Sequence, residues 1–171
     1  MTTFRIGVDE AGKGPVLGPM VAAAVRTDTD ELPDGIADSK RLTAATRESL
    51  AKRLRATETV EIGFGIVSVD EIDDPETDMN GLTVDAQVRA ITAVAQGGDR
   101  AIVDAGDVSE SRFGRRVHVG VAAAGIEVTV TAEHGADDSH QLAGAASIVA
   151  KVERDRRMTA VGSDYDCGPV G

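Results

Sequence analysis

Apolar residues along this chain fall into short runs and periodic stretches that polar turns separate. Short apolar runs are typical of strands, as is the alternation of Val60, Ile62 and Phe64 with other residues. The predicted strands are Phe4–Asp9, Met20–Arg26, Thr57–Val69, Ala101–Asp104 and Ile126–Ala132. A loop rich in glycine and proline joins the first two strands, and a polar turn at Asp28–Gly35 follows the second.

Apolar residues at intervals of three and four predict the helices. Leu82, Ala86 and Ala90 have this spacing, and a second stripe begins at Leu142 and Ala145. The predicted helices are Thr43–Arg55, Asn80–Ala95, Ser109–Val119 and Ser139–Met158. Three strands followed by alternating helices and strands predict an α/β fold with a mixed central sheet flanked by helices, and 171 residues are enough for a single domain over residues 1–171.

The composition favours a cytoplasmic protein. No run of 18 or more apolar residues occurs and no charged-then-apolar leader begins the chain, so we expect neither a membrane span nor a secretion signal. The single cysteine, Cys167, excludes an internal disulfide and is compatible with a reducing compartment. We expect a cytoplasmic monomer.

The charge balance is unusual for a protein that binds nucleic acid. The formal net charge is −11, whereas nucleic-acid-binding proteins usually carry a basic surface. Acid excess, scarce lysine and few aromatic residues indicate a halophile's cytoplasm, where the screening length near molar salt is about 3 Å. Local cationic contacts still act over such distances, but long-range steering is weak. The four lysines are Lys13, Lys40, Lys52 and Lys151.

The first predicted strand runs directly into the segment Asp-Glu-Ala-Gly-Lys-Gly-Pro at residues 9–15. Buried carboxylates are costly unless they are paired or hold a metal ion, and a glycine loop around a cation suits a phosphate. Adjacent side chains on a strand point to opposite faces, so Asp9 and Glu10 reach one site only if the chain bends, which Gly12 and Gly14 would permit. The segment indicates phosphoryl chemistry on a nucleotide or nucleic acid; the alternative is a solvated turn.

Further carboxylates occupy the ends of later elements. Asp104 ends an apolar strand, where ligand sites of α/β sheets collect, although it could also form a turn and Asp107 competes for the same role. Asp137 and Asp138 precede a predicted helix, and the residues alone favour a capping role for them. Asp155 is expected to pair with neighbouring arginines, Arg154 or Arg156.

Carboxylate oxygens suit hard cations such as Mg²⁺ and Mn²⁺. The histidines lack ligand spacing and the single cysteine forms no cluster, so a zinc site is not expected. We expect His118, His134 and His140 at the surface or beside the acidic residues. Neither a P-loop nor a G-x-G-x-x-G motif occurs.

Two long motifs carry a family resemblance. Residues 7–15 fit G-[IV]-D-E-A-G-[RK]-G-P, and residues 145–155 fit A-A-S-I-x-A-K-V-x-R-D. With Asp38-Ser39-Lys40, Asp104 and Asp137 in the same order and spacing, the chain resembles the type 2 ribonuclease H family (ribonuclease HII), especially its archaeal branch. The resemblance covers nearly the whole chain.

The resemblance implies a ribonuclease H-like fold and an endonuclease that hydrolyses the RNA strand of RNA–DNA hybrids, including single ribonucleotides in DNA. Two Mg²⁺ or Mn²⁺ ions would act with the substrate bound, leaving 5′-phosphate and 3′-hydroxyl ends. The metal ligands and catalytic residues it implies are Asp9, Glu10, Asp104 and Asp137. The substrate-binding residues it implies are Gly12, Lys13, Gly14, Ser39, Lys40 and Asn80.

The chain also departs from the family pattern. Lys13 stands where the family more often has arginine, which keeps the charge but loses the bidentate fork. Archaeal relatives continue beyond the last helix with a Gly-Ser-Gly-Tyr-Pro segment and a further helix, so we expect a C-terminally truncated member in which Tyr165 is not the family's substrate-reading tyrosine. Two alternatives stay open: a nuclease of the same fold acting on branched DNA, and a non-catalytic nucleotide- or phosphate-binding module.

Overall fold

The computed structural model describes residues 3–14 and 17–165, apart from the side chains of Asp38 and Ser39. The strands are β1 (Arg5–Ala11), β2 (Met20–Thr27), β3 (Val60–Val67), β4 (Arg100–Asp104) and β5 (Thr129–Glu133). The helices are α1 (Ala44–Ala56), α2 (Val69–Asp73), α3 (Met79–Thr92), α4 (Glu110–Ala123), α5 (Ala136–Ser139) and α6 (Gln141–Asp164), with a 3₁₀ helix at Ile36–Arg41.

The five strands form one mixed sheet in the order β3-β2-β1-β4-β5. β1 pairs antiparallel with β2 and β2 antiparallel with β3, whereas β1–β4 and β4–β5 are parallel. The predicted mixed sheet is therefore confirmed. Because β1, β4 and β5 run in the same direction, their carboxyl ends lie along one edge of the sheet.

Each face of the sheet carries its own apolar core. On one face Ile6 and Val8 of β1 pack with residues of α3 and α4, including the fully buried Phe113. On the other face residues of β2 pack with α1 and α6. A Cβ on Gly7 would lie 2.1 Å from the carbonyl carbon of Leu142, so α6 crosses β1 at a distance that only glycine permits.

The part of the chain that the structure describes contains three short helices that the sequence pattern does not predict. β3 ends at Val67 because Ser68 and Glu71 form a capping box that begins α2, a helix which the apolar pattern misses. The 3₁₀ helix at Ile36–Arg41 was also not predicted. The short helix α5 was not predicted either: the helix predicted over Ser139–Met158 begins at Gln141, because His140 is extended between α5 and α6, and it continues to Asp164.

No helix in the described part of the chain is both long and apolar enough to cross a membrane. Cys167 lies outside the described residues.

Candidate active site

Three aspartates meet at the carboxyl edge of the sheet. A carboxylate oxygen from each of Asp9, Asp104 and Asp137 lies within 4.8 Å of the other two. Val8 pairs with Val103 across parallel strands, so Asp9 and Asp104 follow side by side on one face. Asp137 joins them from the first turn of α5. We call these residues the three-aspartate group.

The three-aspartate group is electrostatically unfavourable without a cation. Burial raises the pKa of Asp9 well above its usual value, and the charges of Glu10 and Asp104 add to the rise. The pKa of Asp104 is raised to about 6, first by burial and then by the charge of Asp137. Clustered carboxylate oxygens that repel one another fit a hard divalent cation such as Mg²⁺ or Mn²⁺.

Glu10 follows Asp9 on β1, and its side chain leaves the strand on the face that α3 covers. β1 keeps its register with β2 as far as Ala11, so the bend that Gly12 and Gly14 would permit does not occur within β1 at Asp9 and Glu10. Glu10 faces α3, where its Oε2 accepts a hydrogen bond of 2.7 Å from Nε2 of Gln87. Burial raises the pKa of Glu10 to about 7, and the Gln87 hydrogen bond partly opposes that rise.

The loop after β1 rests on α6. Gly12 and Gly14 have φ values of 92° and 100°, a region that favours glycine. The guanidinium of Arg154 donates to the carbonyl of Leu17 at 2.8 Å and to that of Pro19 at 3.2 Å. A Cβ on Gly12 would lie 2.4 Å from Nε of Arg154, whereas one on Gly14 would meet none of the residues that the structure describes within 4 Å. No described residue therefore blocks the approach of a ligand to the backbone at Gly14.

The remaining residues predicted to bind substrate are distributed around the same edge. Lys13 Nζ donates to the carbonyl of Gly106, just beyond β4. Lys40 Nζ pairs with Asp138 and lies 3.8 Å from Oδ2 of Asp137. Asn80 is half-buried in the first turn of α3. Pro15 and the side chain of Ser39 lie outside the described residues.

Two interpretations of acidic residues are corrected. The residue before α5 is Gly135, in a left-handed conformation and without a side-chain cap, so neither Asp137 nor Asp138 caps a helix; both lie in the first turn of α5, where a negative charge suits the helix dipole. Asp155 pairs with Arg47 at 3.8 Å instead of with its sequence neighbours.

Asp107, which competes with Asp104 in the sequence, is held by Arg112. The guanidinium of Arg112 binds both carboxylate oxygens of Asp107, at 2.8 Å and 2.6 Å. This contact lowers the pKa of Asp107 to about 2. Asp107 is thus paired within the protein and is not part of the three-aspartate group.

The histidines bind groups close to the sheet and do not cluster. Nδ1 of His118 lies 3.0 Å from the carbonyl oxygen of Val128, and Nε2 of His134 lies 2.6 Å from that of Asp107. Nε2 of His140 lies 2.8 Å from Oε2 of Glu133.

Sequence reasoning did not single out Gln87 and Arg154 as site residues. Gln87 is a polar residue on the apolar stripe of α3, and such a position is the signal that could have identified it. Arg154 belongs to the motif at residues 145–155, but nothing local connects it to a loop near the start of the chain.

Comparison with known proteins agrees with this arrangement. The chain matches a family model described as ribonuclease HII over residues 6–168. It is 58% identical over 162 residues to ribonuclease HII of Halobacterium salinarum, and the match covers 95% of this chain and 74% of the relative.

Solved structures of similar sequence have the same fold. Ribonuclease H2 from Pyrococcus horikoshii superposes with a TM-score of 0.80 at 33% identity, covering 95% of this chain and 77% of that protein. The Archaeoglobus fulgidus RNase HII, determined as a complex with PCNA, gives a TM-score of 0.81 at 32% identity, covering 95% and 78%.

Proposed function

Because this chain belongs to the ribonuclease HII family and is a ribonuclease H, we propose that it hydrolyses the RNA strand of RNA–DNA hybrids as an endonuclease. Its substrates would include DNA duplexes with a single ribonucleotide, and its products would carry 5′-phosphate and 3′-hydroxyl ends. The observation that supports this best is the three-aspartate group at the carboxyl edge of the sheet.

Asp9, Glu10, Asp104 and Asp137 are proposed to hold two Mg²⁺ or Mn²⁺ ions. When bound, such ions supply an activated water and stabilise charge on the phosphate oxygens. The protein's own contribution is the parallel pairing of β1 with β4, which places Asp9 beside Asp104 before any ligand arrives. Burial of Asp9, only 7% exposed, keeps water away from one side of the site.

The loop at Gly12, Lys13 and Gly14 is proposed to hold the strand beside the ribonucleotide. The open backbone at Gly14 allows close approach of a sugar-phosphate group, and a 2′-hydroxyl is the group that distinguishes RNA from DNA. Lys13 and Lys40 place positive charge on either side of the acidic edge. Ser39, Lys40 and Asn80 are proposed to contact phosphates of the duplex.

We further propose a cytoplasmic monomer in which residues 1–171 form one catalytic domain. Lys13 and Lys40 lie near the three-aspartate group, so they could contact nucleic acid directly in concentrated salt, where only short-range charge interactions remain strong.

The test is cleavage of a duplex that carries one ribonucleotide, in molar KCl with Mg²⁺ or Mn²⁺, beside an all-DNA duplex and a branched DNA. We expect cleavage at the ribonucleotide alone, and end labelling should identify a 3′-hydroxyl. Asp9→Asn or Asp104→Asn should lower the rate by at least about 100-fold, whereas Asp85→Asn, an exposed carboxylate on α3, should not. Cleavage of branched DNA only, or near-normal turnover by Asp104→Asn, would refute the assignment.

A further inference from the structure

Gln87 is a fully buried amide on the face of α3 that packs against the sheet, with a relative exposure of 0%. A buried amide is costly unless its polar atoms are hydrogen-bonded. Its Nε2 donates to Oε2 of Glu10 at 2.7 Å and to the carbonyl of Asp104 at 2.9 Å. Both partners are acceptors, so the nitrogen of the amide must be the atom that faces them.

These two hydrogen bonds join the ends of two strands. Glu10 leaves β1 on the face opposite to that of Asp9, because it follows Asp9 directly on a regular strand, yet its carboxylate lies close enough to interact with the charges of Asp9 and Asp104. Through Gln87 its carboxylate is tied to the backbone of Asp104, which is itself a member of that group. The amide therefore keeps Glu10 at the edge of the sheet.

Packing alone does not account for Gln87. Its Oε1 is buried and has no hydrogen-bond partner among the residues that the structure describes. An unsatisfied buried acceptor destabilises the folded protein, and an apolar side chain of similar length would avoid this cost. The two hydrogen bonds that its nitrogen donates, to Glu10 and to the Asp104 carbonyl, are what an apolar residue could not provide.

Taking the proposed function as its premise, we propose that Gln87 is a positioning residue that holds the Glu10 carboxylate where it ligates a divalent cation together with the three-aspartate group. A hydrogen bond to a metal-binding carboxylate restricts its rotamers and directs its free oxygen. Without this bond, Glu10 must be ordered by the metal itself, at a loss of affinity.

Gln87→Met tests this inference, because methionine retains the length and loses the donor. Mn²⁺ binding to the nucleic-acid-free protein is measured in molar KCl from the electron paramagnetic resonance signal of free Mn²⁺. We expect Gln87→Met to weaken binding about 10-fold or more, as is usual when a hydrogen-bond partner of a ligand is lost. Gln87→Leu is a second apolar variant in case methionine disturbs folding, which circular dichroism would show.

The matched control is Thr83→Val, one turn earlier on α3. Thr83 is equally buried, and its hydroxyl donates to the carbonyl of Met79 at 2.7 Å and not to Glu10. Thr83→Val should lower the thermal midpoint without changing Mn²⁺ affinity. If Gln87→Met behaves in the same way, Gln87 is only a buried polar residue of the core and the inference fails.

A double-mutant cycle shows whether Gln87 acts through Glu10. Glu10→Gln removes the charged ligand, so adding Gln87→Met to it should change the Mn²⁺ affinity less than about twofold. Fully additive losses would overturn the inference. If the wild type binds Mn²⁺ and cleaves the ribonucleotide duplex, but Gln87→Met binds Mn²⁺ with the same affinity, only this inference is rejected and the proposed function stands. A wild-type chain that binds no Mn²⁺ would reject the proposed function as well.

Discussion

Asp104 lies near the carboxylates of Asp9 and Asp137 at the end of β4, and its electrostatics reflect that proximity. Burial and the charge of Asp137 raise its pKa to about 6 from the ordinary 3.8. Between these values the folded chain keeps a proton that the unfolded chain has released. The free energy of unfolding of the metal-free protein therefore decreases as the pH rises through this window.

Asp104→Asn should consequently stabilise the metal-free protein at pH 8 while abolishing cleavage. The gain is expected to be on the order of 1 kcal/mol after allowance for solvent screening, or about 2–4 °C in the thermal midpoint. It should shrink as the pH falls towards 4, where the wild-type carboxyl is protonated. Thermal unfolding followed by circular dichroism in EDTA and molar KCl measures the difference.

With Mg²⁺ present the wild type should be more stable than Asp104→Asn, because the ion stabilises the folded wild type and has one ligand fewer in the variant. Asp85→Asn provides the control, since Asp85 is an exposed carboxylate on α3. If Asp104→Asn is less stable than the wild type at pH 8 without metal, then repulsion within the three-aspartate group does not destabilise the metal-free wild type.

The loop between β1 and β2 takes its shape from an element far along the chain. Arg154 of α6 binds two loop carbonyls, at Leu17 and Pro19, and its side chain fills the space beside Gly12. Met158, one turn later, occupies the corresponding space at Gly18. Helix α6 thus supports the loop that is proposed to hold the substrate.

A comparison of Gly12→Ala with Gly14→Ala separates the cost of backbone strain from the cost of disturbing the contact between the loop and α6. Both residues have a positive φ, so each alanine costs about 1–2 kcal/mol from its backbone alone. Among the described residues, the Cβ at Gly12 would also collide with Arg154 and with the Pro19 carbonyl, whereas the Cβ at Gly14 would collide with none. We expect Gly12→Ala to lower the free energy of unfolding by clearly more than Gly14→Ala, as measured by denaturant titration.

The Arg154→Ala background completes this comparison. Part of the cost of Gly12→Ala should disappear there, because the nearest side-chain atom is gone, while the cost of Gly14→Ala should not change. Equal costs for the two glycines in both backgrounds would show that α6 does not determine the loop conformation.

At the scale of the whole molecule, the dominant feature is a net charge of −11. The halophile origin predicted from composition is supported by the 58% identity to a Halobacterium enzyme. One ion pair is nevertheless fully buried: Arg26 donates to Asp99 at 2.8 Å and lies 3.8 Å from the centroid of the Phe4 ring. Such a pair is shielded from salt, whereas the exposed acidic surface is not.

The protein should therefore become more stable as KCl rises from low to molar concentration, because self-repulsion is screened. Its affinity for a hybrid duplex should decrease over the same range as counterions compete. Circular dichroism is the appropriate probe of unfolding, since the chain has no tryptophan and one tyrosine.

Neutralising Asp70, Asp73 and Glu76 together, all exposed, should reduce the dependence of the thermal midpoint on salt. A midpoint that stays flat or falls towards molar KCl would contradict this explanation of the acidic surface.

Local sequence patterns were sufficient to predict most of the secondary structure and two of the acidic positions of the site. Apolar runs and apolar periodicity predict the five strands and the longer helices, because burial of apolar residues against the core imposes these local patterns. The acidic ends of β1 and β4 are visible in the same way, since a carboxylate after an apolar run is a local signal. The short helices were missed because capping and turn hydrogen bonds, not apolar periodicity, form them.

Only the tertiary structure decided which of these groups meet. Asp9 and Glu10 are adjacent in sequence, yet the regular strand sends them to opposite faces, and the parallel register with β4 selects Asp9 as the neighbour of Asp104. Gln87 reaches Glu10 because α3 packs on that face. Strand order, register and helix packing depend on contacts between residues distant in sequence, and a local pattern carries no information about them.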